Sequence, residues 1–226
     1  MSANITIAKH FTDTPIHIDL ADNGQSCNCT CYDCGEPLLA VQGKSKKNRE
    51  WHFRHLVESN CTGAQESSLH KLAKHILQNS TSMIIPKYGR INYTNCLTEC
   101  RYLERIPDVQ ATLEIGEMIC FEIFNKHAVD TAKAIFYKSN QCKSLEIDLK
   151  NCPTEKYEEI KSFLLNEVNG KWVIFWEQPE VNANEVIIKN NQPFLDWKIV
   201  AFILFLVFLL TKAFSRSETK EYNNQN

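Results

Sequence analysis

Hydrophobic residues with strand-like or helix-like spacing recur along the chain between residues 5 and 176. Residues 5–7 and 16–18 alternate apolar and polar side chains, which predicts two short strands. From Ser67 to Gln78 the apolar residues recur every three or four positions, as they do on the buried face of a helix. Ser67 or Ser68 suits the N-cap of this helix, because a serine hydroxyl can accept a backbone N–H there.

Strand and helix patterns continue after this helix. They predict a hairpin over roughly residues 102–125, a helix near 130–138, a strand at 144–149, a helix that opens at Pro153 and a strand at 172–176. Asp130 is the expected N-cap of the middle helix, with Ala132, Ile135 and Phe136 facing inward. From residue 67 onward the predicted order is helix, strand, strand, helix, strand, helix, strand. This order predicts an α/β fold, a small mixed β-sheet flanked by helices.

One carboxylate lies in each arm of the predicted hairpin, at Asp108 and Glu122. Gly116 is the third residue of the connecting loop, the position where a three-residue hairpin loop needs a left-handed residue. If Leu113 pairs with Glu117, counting outward along the ladder places Asp108 opposite Glu122. Facing carboxylates repel, and a divalent cation between them makes the arrangement favourable. The pair therefore predicts a Mg²⁺ or Mn²⁺ site that supports a hydrolytic reaction.

Ten cysteines raise the question of disulfides or metal ligands. Residues 1–11 show no apolar segment of a secretory signal peptide, so we expect reduced thiols that bind metal or are buried. Cys31 and Cys34 form a C-x2-C turn, and His55 and Cys61 follow as a second pair. This Cys3His set matches a tetrahedral Zn²⁺ with all four positions filled, which predicts a structural zinc.

Three further residues compete as zinc ligands: Cys27, Cys29 and His52. The alternative to a metal site is a small core that contains four reduced side chains. The remaining cysteines show no ligand spacing and are expected to be buried thiols; they are Cys96, Cys100, Cys120, Cys142 and Cys152.

The formal net charge of −2 gives the molecule no overall field that attracts a nucleic acid. Any nucleic-acid contact therefore depends on local patches. The most basic segment contains Lys44, Lys46, Lys47 and Arg49 and continues to Arg54. His70 and Lys74, four positions apart on one helix face, form a second candidate phosphate contact. For both groups, a solvated surface is the alternative.

Near the C-terminus, residues 199–210 form an unbroken apolar run between Lys198 and Lys212. Extended to residues 194–214, the segment is long enough to span a bilayer, and both lysines can reach the head groups. Trp197 occupies an interfacial position. We expect a single-pass membrane anchor with the main domain in the cytoplasm; a buried core helix is the alternative.

The order of these motifs resembles the CoiA-like family of competence-associated proteins. The resemblance covers residues 16–176 and includes the cysteine turn at 31–35, the segment 51–55, Cys61, the helix segment 66–74, and the segments 105–109, 121–123, 127–133 and 145–149. The family implies a zinc-binding N-terminal lobe joined to a restriction-endonuclease-like domain of the PD-(D/E)xK type. It also implies DNA as the partner, with single-stranded DNA among the candidate forms.

This resemblance implies hydrolysis of phosphodiester bonds, with Asp108 and Glu122 holding Mg²⁺ or Mn²⁺. Glu66 stands at the position of a helix glutamate that often completes such sites. The signature lysine is replaced by Phe124. Lys126 lies two residues further on the same strand face, and Lys133 matches the family's own lysine. We favour Lys133 as the catalytic lysine.

These observations divide the chain into five parts: 1–64, an N-terminal zinc-binding lobe; 65–178, the nuclease-like domain; 179–193, a linker; 194–214, the transmembrane helix; and 215–226, a polar tail. The leading hypothesis is a membrane-tethered, metal-dependent nuclease or DNA-processing protein. The alternatives are a nuclease-fold module that binds nucleic acid without cutting it, and a zinc-stabilised module that binds another protein.

Overall fold

The computed structural model describes residues 5–43, 50–57, 61, 65–125 and 129–176, without the side chains of residues 65–67. All of these residues belong to one compact unit. They form a mixed α/β structure with two sheets and three helices.

The first sheet has five antiparallel strands in the spatial order β2-β1-β3-β4-β5. The strands are β1 (Ile7–His10), β2 (Pro15–His17), β3 (Gly24–Thr30), β4 (Pro37–Val41) and β5 (His52–His55). They are short, so only a small apolar core forms, in which Ile18, Leu38 and Phe53 are buried beside three cysteines. Such a small core favours additional stabilisation, for example by a metal.

The second sheet has six strands in the order β11-β10-β9-β8-β7-β6. Its strands are β6 (Ser82–Ile85), β7 (Gly89–Thr98), β8 (Val109–Leu113), β9 (Met118–Phe124), β10 (Lys143–Asp148) and β11 (Lys171–Phe175). The helices are α1 (Gln65–Gln78), α2 (Thr131–Ser139) and α3 (Tyr157–Asn166). Strands β9 and β10 are parallel, whereas every other neighbouring pair is antiparallel. A parallel pair needs a long crossover, and α2 supplies it.

The hairpin of β8 and β9 has the predicted register. Leu113 N donates to Glu117 O at 2.8 Å, and Gly116 adopts a φ of 83° in the loop between them. Val109 pairs with Phe121, so Asp108 and Glu122 follow as the next opposed positions. The turn chemistry therefore sets the relative position of the two acidic residues.

The two faces of this sheet carry different helices. Ile119, Phe121 and Ile123 of β9 share one core with the apolar residues of α1 and α3. Cys120, on the alternate face of β9, packs with Tyr137 of α2. Because side chains alternate along a strand, Glu122 belongs to the α2 face.

Contacts also join the five-stranded sheet to the larger one. Ile7 of β1 packs in the core that contains α1. The ring of His17, fully buried, reaches Thr154 O at 3.2 Å through Nε2. Asp19 accepts the backbone N–H of Tyr157, the first residue of α3. This carboxylate, which follows β2, therefore pairs with a backbone N–H at the start of α3 that has no partner within the helix.

The prediction of the elements was incomplete, because it omitted β3, β4 and β5 in the smaller sheet and β6 and β7 in the larger one. Most side chains of β7 are not buried, so the strand lacks the clean alternation that a half-buried strand shows. The strand also contains an irregularity between Thr94 and Leu97, where Asn95 has a φ of 52°.

Two helix details also differ from the prediction. Asp130 is the N-cap of α2, as expected, but Ile135 is 57% exposed, and the buried residue of this helix is Tyr137. The third helix begins at Tyr157 rather than at Pro153. The intervening residues are held by the His17–Thr154 contact instead of a helical turn.

Candidate functional site

The four predicted zinc ligands lie around the turn that follows β3. Cys31 comes directly after this strand, and its carbonyl accepts the N–H of Gly35 at 2.9 Å. Gly35 has a φ of 75°, so glycine lets the chain turn sharply past Cys34. His55 is the last residue of β5 and Cys61 lies beyond it. The sheet therefore brings two distant sequence pairs together.

The spacing of the four donor atoms suits a tetrahedral metal ion. All four lie within 4.8 Å of one another. The Sγ atoms of Cys31 and Cys61 are 3.8 Å apart, and Cys34 Sγ is 3.2 Å from His55 Nε2. Two sulfurs bound tetrahedrally at about 2.3 Å are separated by roughly 3.8 Å. The cluster could thus hold a metal such as zinc, and with four protein donors the metal would be structural.

The three alternative ligands are engaged elsewhere. The thiols of Cys27 and Cys29 contact the carbonyl oxygens of Leu38 and Cys27, and His52 Nδ1 is 3.0 Å from Glu50 O. Burial raises the pKa of the Cys29 thiol, which disfavours the thiolate that binds metals. Cys31, Cys34, His55 and Cys61 are therefore the ligand set that the geometry favours.

Asp108 is held by two side chains of α1 and one backbone group. Its Oδ1 lies 3.0 Å from His70 Nε2 and 3.4 Å from Lys74 Nζ, while its Oδ2 accepts the N–H of Ile123 at 2.8 Å. Burial alone would raise the pKa of this carboxyl group, but the hydrogen bonds from His70 and Ile123 and the charge of Lys74 lower it overall. Asp108 is therefore ionised at neutral pH.

Glu122 is held by α2. Its Oε2 is 2.6 Å from Lys133 Nζ, and its Oε1 accepts the hydroxyl of Tyr137. Burial raises the pKa of Glu122, although Lys133 and Tyr137 oppose the shift. Asp108 adds a smaller repulsion in the same direction as burial. The two carboxyl groups thus have pKa shifts of opposite sign.

Asp108 and Glu122 are adjacent in register, but their carboxyl groups contact helices on opposite faces of the sheet. The sequence predicts a shared metal-bridging position for these two groups; in the structure Asp108, just before β8, contacts α1, whereas Glu122 contacts α2. Among the described side chains, the Cys3His cluster is the only group with three or more metal-binding donors close together. The side chain of Glu66 is not among the described side chains.

The lysine of the site comes from α2. Phe124, at the signature position, has its ring 6.2 Å from that of Trp172. Lys126 lies outside the described residues. The ammonium group of Lys133 is the one in contact with Glu122, at 2.6 Å from its Oε2.

Acidic residues on or next to four neighbouring strands lie side by side across the sheet. Glu99 N donates to Asp108 O, Asp108 is opposed to Glu122, and Glu122 pairs with Glu146 on β10. Glu146 accepts the N–H of Val129, and burial raises its pKa. The sequence did not point to Glu99, because its distance from Asp108 depends on the missed strand β7.

The predicted nucleic-acid contacts divide into two groups. His70 and Lys74 lie together at Asp108, and Lys74 Nζ is also 2.8 Å from Glu99. Lys46, Lys47 and Arg49 lie outside the described residues, whereas Arg54 on β5 is exposed.

No described helix has the length and apolar character needed to cross a membrane, and residues 194–214 fall outside the described part of the chain.

Fold and cluster together define a mixed α/β protein whose Cys3His group could bind a metal. Comparison with family models, with curated proteins and with solved structures gives no match.

Proposed function

We propose that this chain is a metal-dependent nuclease or DNA-processing protein of the CoiA-like type. The observation that carries the proposal is the register of the β8–β9 hairpin, which makes Asp108 and Glu122 neighbours and gives Glu122 a lysine at 2.6 Å. Two carboxylates can supply oxygen ligands for a divalent cation, and an ammonium group can offset negative charge on a phosphate. In this role Asp108 and Glu122 bind Mg²⁺ or Mn²⁺, and Lys133 orients Glu122 and neutralises charge on the scissile phosphate.

Two side chains of α1 extend this site. Lys74 and the imidazole ring of His70 lie against Asp108, so a phosphate that approaches the hairpin meets an ammonium group and a ring that can donate a hydrogen bond. Glu66, on the same helix as His70, is a further proposed ligand. The Cys3His cluster, with zinc bound, stabilises the smaller sheet, and the apolar segment 194–214 tethers the protein to a membrane.

A second candidate function is binding of nucleic acid without cleavage. Two observations favour it: the signature lysine is replaced by Phe124, and the carboxyl groups of Asp108 and Glu122 face different helices. In that role the carboxylates would hold the lysines in place, and no catalytic metal would bind. The third hypothesis, a zinc-stabilised module for protein binding, predicts no affinity for nucleic acid.

Cleavage assays on the full-length chain separate these functions. We expect labelled DNA, single-stranded or duplex, to be cut when Mg²⁺ or Mn²⁺ is added. Asp108→Asn and Glu122→Gln should each slow cutting by about 100-fold or more, because each removes a carboxylate that would hold the divalent cation, and the cation would supply the charge that stabilises the transition state. Glu159→Gln is the matched control, since this acidic residue pairs with Lys156 on the exposed side of α3.

The outcomes of this assay are distinct. Equal cutting by wild type and Asp108→Asn would contradict the proposed metal site. DNA binding that weakens with salt, without cutting under either metal, would select the binding module. Absence of DNA binding would favour the protein-binding hypothesis.

A further inference from the structure

A polar cavity of about 520 Å³ lies between the five-stranded sheet and α1. Its walls include Lys9 and Asp13 beside the β1–β2 turn, Thr30 at the end of β3, Tyr32 in the cysteine turn, and Lys71 of α1. A cavity of this size matches the 300–1,000 Å³ typical of ligand sites. The hairpin site described above does not use it.

Among the charged side chains that line the cavity, one positive charge is not compensated by a negative one. Lys9 forms an ion pair with Asp13, so these two charges compensate each other. Lys71 has no such carboxylate at hydrogen-bonding distance among the described contacts; its ammonium lies over the Tyr32 ring, 5.1 Å from the centroid. An anion is the ligand that this lining favours.

Lys71 also connects the cavity with the hairpin site. It is the neighbour of His70, which contacts Asp108. Lys9 is the main cause of the lowered pKa of Asp13, and the charge of Lys71 adds to it; Lys74 is the main cause of the lowered pKa of Glu99, and the charge of Lys71 adds to that as well. Lys71 therefore acts electrostatically on both the cavity and the residues beside Asp108.

We propose that this cavity binds a phosphate of a single nucleic-acid strand, with Lys71 as the cation and the Tyr32 ring beside the attached base. The inference rests on nucleic acid being the substrate, as in the proposed function. Aromatic side chains beside lysines are the usual means of binding single strands without sequence preference. The same cation could bind inorganic phosphate or an acidic peptide, and the experiment separates these ligands.

The test measures binding, without any added Mg²⁺ or Mn²⁺, so that cleavage plays no part. Fluorescence anisotropy of a labelled thymidine oligonucleotide of ~20 nucleotides reports the affinity of the full-length chain across a range of salt concentrations. Loss of one lysine–phosphate contact should reduce the slope of log affinity against log salt by about 0.7. We expect this reduction in Lys71→Met and recovery of the slope in Lys71→Arg.

Lys87→Met is the matched control. Lys87 is an exposed lysine between β6 and β7, at the opposite end of the sheet from Asp108, so its loss should leave the slope unchanged. Zinc content, measured for each variant, shows that the cysteine turn is intact.

Three results would overturn the inference: an unchanged slope in Lys71→Met, absence of oligonucleotide binding by the wild type, or displacement of the oligonucleotide by millimolar inorganic phosphate or equally well by polyglutamate. If the proposed nuclease activity is absent, the chain will still bind the oligonucleotide but will not cut it once metal is added. An unchanged slope in Lys71→Met with intact cutting therefore rejects only the cavity proposal, intact binding without cutting rejects only the nuclease, and absence of binding rejects both.

Discussion

Lys171 gives the most direct quantitative test of the structure. This residue begins β11 and is 4% exposed, and its ammonium donates to Ile84 O at 3.0 Å and to Glu167 O. Ile84 belongs to β6, the opposite edge strand of the six-stranded sheet. Lys171 therefore joins the two edges of the sheet by one buried side chain.

Burial lowers the pKa of Lys171 from 10.5 to about 8, which fixes the sign of its effect on stability. Between these two values the unfolded chain binds the proton more strongly than the folded chain, so the free energy of unfolding rises with pH. A difference of about 2.5 units corresponds to roughly 3 kcal/mol, and about 2.5 kcal/mol of it should be gained between pH 7 and pH 10.

The assay is urea unfolding of the full-length chain at pH 7, 8, 9 and 10, followed by the fluorescence of its tryptophans. Lys171→Met should remove this rise in the free energy of unfolding relative to the wild type. Lys87→Met, at an exposed lysine, should keep the rise. The reasoning is refuted if Lys171→Met and wild type change in parallel over this range.

Two further predictions concern the smaller sheet and a tight turn. The full-length chain should carry one zinc ion; Cys34→Ser should lose it, as measured by metal analysis, whereas Cys152→Ser, outside the cluster, should retain it. Gly170→Ala should lower the free energy of unfolding by more than about 1 kcal/mol, because a Cβ would lie 2.8 Å from Phe163 Cζ and 2.9 Å from Asp148 O in a backbone with φ of +70°. Gly89→Ala, with a similar φ of +73° but no atom within 4 Å, should cost less; equal losses would contradict the steric argument.

Local chemistry made part of this structure predictable from sequence. Gly116 set the hairpin register, Asp130 set the start of α2, and the cysteine spacing identified the four ligand positions. Each of these features depends on residues within a few positions of one another or on a strict ligand geometry. The face that α2 buries was not predictable, because the choice of Tyr137 over Ile135 depends on contacts with Cys120 on β9 and Cys142 just before β10.

The candidate site was also predictable from the sequence only in part. The opposition of Asp108 and Glu122 followed from the turn, whereas the direction of each carboxyl group did not. Asp108 turns toward α1 because His70, Lys74 and the N–H of Ile123 together hold it there. Tertiary packing alone decides which cation lies beside which carboxylate, so the pattern of residues along the chain could not predict these pairings.

The pairing of carboxylates with protein cations has a consequence for the proposed function. A divalent metal at the hairpin competes with Lys74 and His70 for Asp108 and with Lys133 for Glu122. Phosphates of a bound strand attract the same ammonium groups and so release the carboxylates for the metal. Binding of metal and nucleic acid is therefore expected to be mutually favourable, and by thermodynamic linkage each must tighten the other by the same factor.

Titration of the full-length chain with Mn²⁺, with and without a non-cleavable phosphorothioate oligonucleotide, measures this coupling. We expect at least about fivefold tighter Mn²⁺ binding when the oligonucleotide is present, the lower end of typical coupling energies. In Lys133→Met the competing ammonium at Glu122 is absent, so Mn²⁺ should bind more tightly without nucleic acid and the coupling should shrink. Lys156→Met, which removes an ammonium from a carboxylate on α3, should leave the coupling intact. Equal Mn²⁺ affinities with and without nucleic acid would contradict this exchange of partners.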